Sequence, residues 1–170
     1  MTIRRKSASD VSRWSAPNEM LLTLCTFGEQ PWEMVKRAAG VLGPLCAKHP
    51  PLNLQVEGVR GLPNSNQPRY VVANVTGDSD ALTAMQAEMA RALAPVLAPS
   101  EKAYDPHIVL GRLKIESEQA RTGLGRAVRL TPAEVLGSWT ADAVEVVRAD
   151  AGASGIQYQT IEKFPFGQVL

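Results

Sequence analysis

Pro106-His107-Ile108-Val109-Leu110-Gly111-Arg112 is the stretch on which the reading of this chain turns. A proline pushes the residue before it toward extended backbone, so Asp105 is extended and a strand opens at His107. Strict alternation then sets His107, Val109 and Gly111 on one face and Ile108, Leu110 and Arg112 on the other. Arg112 therefore points away from His107 and is expected to pair with a carboxylate. His107 is one of only two histidines. At a strand end it is aimed at whatever a neighbouring strand carries.

A second stretch has the same texture. Glu19–Phe27 (E-M-L-L-T-L-C-T-F) reads as a buried strand that Gly28 ends. Leu21, Thr23 and Cys25 share one of its faces. Pro31 suits the first turn of a helix through Met34, Val35, Ala38, Ala39 and Leu42, which Gly43-Pro44 is expected to break or kink. Leu52–Gly58 alternates as a strand, a Pro- and Asn-rich loop covers Gly61 to Pro68, and Tyr70–Val75 is a further strand. Ser79 or Asp80 caps a helix with apolar residues at Leu82, Met85, Met89 and Leu93. Glu116–Arg126 reads as a helix, Trp139–Arg148 as one strand, and Ile156–Phe164 as its hairpin partner across Gly152 to Gly155. Strand, helix, two strands therefore occurs twice. The fold class is α+β: two lobes whose antiparallel sheets line a central cleft.

Composition narrows the function. The chain has 170 residues, 45% of them hydrophobic and only 5% aromatic, with a formal net charge of +1. That is one domain's worth of chain with no overall field for gripping long nucleic acid. Cys25 and Cys46 have no C-x-x-C spacing, so neither a disulfide framework nor a metal site is expected, and no motif calls for a cofactor. Residues 1–13 are polar and basic and read as a segment without assured order, with a short strand at Thr2–Arg5 as the other reading; the domain runs over 14–170. With no apolar run of about 18 residues and no signal-peptide core, a cytoplasmic location is expected.

These residues carry a family resemblance. Trp14, Pro17-Asn18 and Leu21-Leu22-Thr23-Leu24-Cys25-Thr26-Phe27-Gly28-Glu29 resemble the first H-x-T/S motif of the 2H phosphoesterases, in the LigT-like branch of 2′-5′ RNA ligases and RNA 2′,3′-cyclic phosphodiesterases. Tyr104-Asp105-Pro106-His107-Ile108-Val109-Leu110-Gly111-Arg112 resembles the second. Tyr158 and Phe164-Pro165-Phe166 are similar to the family's closing segment. Each motif has lost one half. Leu21 stands at the first histidine position and Val109 at the second hydroxyl position, while Thr23 and His107 remain.

The family reaction, as the resemblance implies, opens a 2′,3′-cyclic phosphate by in-line attack of water. Two histidines move the protons and two hydroxyls hold the phosphate oxygens. A positioned acid or base contributes about 10²–10⁴ in rate, and a donor to a developing anion about 10²–10³. Leucine and valine supply neither. The first expectation is a divergent family member that binds a nucleotide or RNA terminus with weak or absent catalysis. His107 and Thr23 would be its catalytic residues, with Arg112, Tyr104 and Cys25 as substrate contacts. The alternative is a non-catalytic scaffold whose cleft, floored by Leu21 and Val109, takes an apolar small ligand or a protein partner. A third reading pairs Cys25 with His107 as a new nucleophile. The family's opening strand and helix have no counterpart in the 13 residues before Trp14, so a narrower sheet or an exposed edge is expected there, met by a homodimer contact or a covering loop.

Overall fold

The computed structural model describes residues 11–96, 102–113, 118–152 and 155–167. Its strands are β1 (Val11–Trp14), β2 (Leu52–Leu62), β3 (Tyr70–Gly77), β4 (His107–Leu113), β5 (Val135–Ala141), β6 (Ala143–Gly152) and β7 (Gly155–Pro165). Its helices are α1 (Trp32–Cys46), α2 (Ser79–Leu93) and α3 (Glu118–Arg129). Five strands form one sheet in the order β1-β4-β3-β2-β5, and β6 and β7 form a separate antiparallel ribbon. The fold is α+β, as expected.

The chain divides into two compact units, each assembled from three separate segments. The first takes residues 1–22, 55–76 and 107–138. Its core joins Val71 and Ala73 of β3, Leu110 and Leu113 of β4, and Leu124 and Val128 of α3, with Trp14, Val56 and Val59 packed against them. The loop between β2 and β3 is clamped onto α3. Arg129 donates to Ser65 O at 2.7 Å and to Asn66 Oδ1 at 2.9 Å. Gly125 permits that approach, because a Cβ there would lie 2.2 Å from Ser65 O.

The second unit takes residues 23–54, 77–106 and 139–170. Here α1 packs on α2 and on the β6–β7 ribbon. Leu42, Cys46, Leu82, Met85, Met89, Val146, Phe164 and Phe166 are buried. Asp78 Oδ2 accepts from the Asn53 backbone N–H at 2.7 Å, which ties the entry to α2 to the start of β2. His49 is half-buried, with its Nε2 3.0 Å from Glu88 Oε2.

Several expectations change. β1 begins at Val11, inside the stretch read as lacking assured order, whereas the alternative Thr2–Arg5 strand lies outside the described residues. α1 runs through Pro44 to Cys46 instead of breaking at Gly43-Pro44. The single strand read over Trp139–Arg148 is two, β5 and β6, which belong to different sheets and meet at Asp142. Helix α3 ends at Arg129 rather than Arg126.

The largest change concerns Glu19–Phe27. Glu19 closes a 3₁₀ turn over Pro17–Glu19, where its carboxylate pairs with Arg13 and accepts from the Ala16 N–H. The chain next meets a strand only at Leu22, in a single antiparallel bridge to Ile108. Beyond it, Gln86 Nε2 of α2 donates to Leu24 O at 3.2 Å. A side chain thus takes a carbonyl that a strand partner would have taken.

Candidate functional site

The histidine strand is paired on both sides. β3 lies along one edge, with Asn74 opposite His107, Ala73 opposite Ile108 and Val72 opposite Val109. The register then slips, so that Val71 faces Gly111 and Tyr70 faces Arg112, and Leu110 has no partner of its own. The extra residue is a β-bulge, which resets the alternation of everything after it. Leu110 and Leu113, three apart, are both buried in the core.

Arg112 is therefore turned to the face of His107 and Val109, against the sequence expectation. Opposed residues of an antiparallel pair share a face. Val71 and Ala73 point into the core, so Tyr70, Val72 and Asn74 carry the opposite face with Arg112, Val109 and His107. The Arg112 guanidinium sits 5.9 Å from the centroid of the Tyr70 ring, within cation–π reach.

The other edge of β4 is shared by two pieces of chain. β1 pairs with it from Leu113 to Gly111, Ser15 N–H donates to Leu110 O at 2.8 Å, and Leu22 bridges Ile108. Carried on by one residue, that bridge sets Leu21 level with Val109. Thr23 opens the second unit and is exposed.

β2 contributes residues that sequence reasoning missed. Gly58 takes φ +65°, and the alternation slips there as well, for Val56 and Val59 both pack on the core. Arg60 comes to the other face, where its Nε donates to Asn74 Oδ1 at 2.6 Å. Thr76 donates to Glu57 Oε2 at 3.2 Å. Alternation through Tyr70–Val75 was signal enough to find Asn74. Nothing local marks Arg60, because the bulge before it decides which way it faces.

Cys25 and Tyr104 belong to the second unit. Cys25 is half-buried and receives Gln86 Nε2 at 3.7 Å. Burial pushes its thiol up, against the lowering effect of that hydrogen bond. A nucleophilic cysteine needs the opposite shift. The Tyr104 phenol is pushed up to about 12, first by burial and then by the charges of Cys25 and Asp105. Its hydroxyl is buried with no partner among the described residues. Trp14 packs against the core of the first unit. No group of three or more acidic, histidine or cysteine side chains suited to a metal occurs among the described residues, and none of their helices is long and apolar enough to cross a membrane.

Solved structures share this fold. TT0787 of Thermus thermophilus matches at 23% identity and a TM-score of 0.67, over 91% of this chain and 81% of its own. A phosphoesterase structure matches at 17% identity and a TM-score of 0.75, over 98% of this chain and 90% of its own. E. coli LigT complexed with 3′-AMP matches at 15% identity and a TM-score of 0.73, over 96% of this chain and 91% of its own. The model of the 2′-5′ RNA ligase superfamily matches residues 22–153, from the bridge at Leu22 to the turn of the β6–β7 ribbon. That match takes in the second motif stretch, the first from Leu22 onward and most of the chain, and the chain belongs to the 2′-5′ RNA ligase superfamily.

Proposed function

We propose that this protein binds a nucleotide or an RNA terminus on the His107 face and turns over a 2′,3′-cyclic phosphate slowly or not at all. The observation that carries this reading is the Leu22–Ile108 bridge. Carried on by one residue, its register supports a reading in which Leu21 and Val109 stand at the positions where the family reaction needs an imidazole and a hydroxyl. His107 is the one histidine of that face and serves a single proton transfer. Thr23 supplies the remaining motif hydroxyl to a non-bridging oxygen. Arg112, which the bulge returns to the face of His107, adds a cation, and guanidinium is the side chain best matched to phosphate.

Cys25 and Tyr104 are substrate contacts without a proton-transfer role, since burial holds both groups protonated at neutral pH. Structures of E. coli LigT hold 3′-AMP, NADP⁺ and ATP, which supports nucleotide chemistry for the ligand. Val109, 36% exposed on the site face, favours the second reading, a scaffold that takes an apolar ligand or a protein partner. One experiment separates them: titration calorimetry with 2′,3′-cyclic AMP, with product followed by chromatography. Binding with turnover at least 10²-fold below a two-histidine relative is expected. Turnover at that relative's rate would overturn the loss of catalysis, and absence of binding would favour the scaffold.

A further inference from the structure

We infer that Tyr70 is the stacking platform for the base of the second nucleotide from the end of an RNA chain whose terminal phosphate lies at His107. This inference rests on the reading of the His107 face as a nucleotide site, and it narrows the ligand to an RNA terminus.

Alternation along β3 sets Tyr70, Val72 and Asn74 on one face, and the register places Asn74 opposite His107 and Tyr70 opposite Arg112. Tyr70 and Asn74 are four residues apart, which is about 13 Å along a strand. Side chains stand roughly perpendicular to a sheet, so the phenol ring and the imidazole keep that separation at the two ends of the face. It is farther than the reach from the phosphate of one nucleotide to its own base. A ligand that touches both ends therefore has at least two nucleotides. Between the ends, Val72 is buried and Val109 is 36% exposed, so the open path runs along β4, over Val109.

The far end carries the chemistry of a base contact. The Arg112 guanidinium stands over the Tyr70 ring, 5.9 Å from its centroid, and Tyr70 remains 37% exposed. The cation takes one side of the ring, and a base stacks on the other. Every base has a π-face, so the contact carries little sequence preference. The same guanidinium supplies a cation at this end for the phosphodiester that joins the two nucleotides. A formal net charge of +1 gives no general field along a long chain, which suits a grip on its end alone.

Titration calorimetry tests the assignment with three probes: 3′-AMP, the dinucleotide ApAp, which ends in a 3′-phosphate, and the same dinucleotide without its 5′ base. ApAp is expected to bind about five- to a hundredfold more tightly than its abasic form, the worth of one stacked base. Tyr70→Ala is expected to erase that ratio. Tyr70→Trp is expected to keep it, because the ring and not the hydroxyl does the stacking. Thermal melting establishes that each variant is folded, and Tyr70→Thr, which suits a strand, takes the place of a misfolded Tyr70→Ala. Equal binding of ApAp and its abasic form, with 3′-AMP bound, would overturn the role of Tyr70 alone. So would a ratio that survives in folded Tyr70→Ala or Tyr70→Thr. Failure of the unmodified protein to bind any of the three probes would overturn the nucleotide reading and this assignment with it.

Discussion

Leu21–Phe27 and His107–Leu113 have similar apolar texture and unlike fates. The second stretch is an inner strand of a five-stranded sheet, paired on both edges, with Leu110 and Leu113 buried under α3. The first touches that strand through one bridge and then leaves it, held by a glutamine side chain of α2. A strand is stable when both its hydrogen-bonding edges and its apolar face find partners. His107–Leu113 has both. Along the outer edge of β4, β1 has already taken Gly111 to Leu113, and Leu22 bridges that edge farther on, at Ile108. The comparison shows that the two motif stretches are held by different numbers of partners. One is framed by a core, and the other is docked against its edge.

The largest effect expected from breaking this comparison is catalytic. Leu21→His with Val109→Thr restores the lost group on each stretch, and hydrolysis of 2′,3′-cyclic AMP should rise by about 10²–10⁴. Adding His107→Ala should abolish the gain, since one imidazole does not serve both proton transfers. A double variant no faster than the unmodified protein would mean that the docked stretch does not hold its side chains level with β4.

The next effect is on stability. Leu110→Ala, on the framed stretch, should cost about 2–5 kcal/mol, because it empties a site in the core of the first unit. Leu22→Ala, on the docked stretch, removes a side chain already half in solvent and should cost about 1 kcal/mol. Urea unfolding measures both. Equal costs would show that the bridge at Leu22 is as firmly packed as β4.

The smallest effect lies where the approach to β4 meets the docked stretch. Tyr104 has a folded pKa of about 12, above the ordinary tyrosine value of 10, with Cys25 among the causes. The folded protein then holds a proton that the unfolded chain gives up. This contribution to stability is complete below pH 10 and is lost as the pH rises toward 12. Tyr104→Phe should flatten that loss and remove one late phenol from the absorbance titration. It should also raise stability at neutral pH by about 1 kcal/mol, because a buried hydroxyl without a partner is removed. Loss of a phenol that titrates near the ordinary value of 10, and not of a late one, would place the Tyr104 hydroxyl in solvent.

Much of this was legible in the sequence, for identifiable reasons. Local rules suffice where one residue type dominates the backbone. Pro106 starts β4 at His107, the spacing of Leu82, Met85, Met89 and Leu93 marks the buried stripe of α2, and Gly152 pairs with Gly155 at the end of the ribbon. The order of the motif residues was enough to identify the family. What alternation could not supply was the phase of a strand beyond a bulge. Arg112 was assigned to the wrong face because Leu110 has no partner of its own, and that is decided by how β3 and β4 fit together. Arg60 escaped notice for the same reason, through Gly58. Nor does local pattern say how many partners a strand-like segment will find. Glu19–Phe27 has the composition of a buried strand, but β1 fills the edge it would need and Gln86 takes a carbonyl that would have paired. Sequence alone determined most of the elements and the family. Only the tertiary structure decided which cations stand on the face of His107, because pairing register is a property of two strands and not of either one.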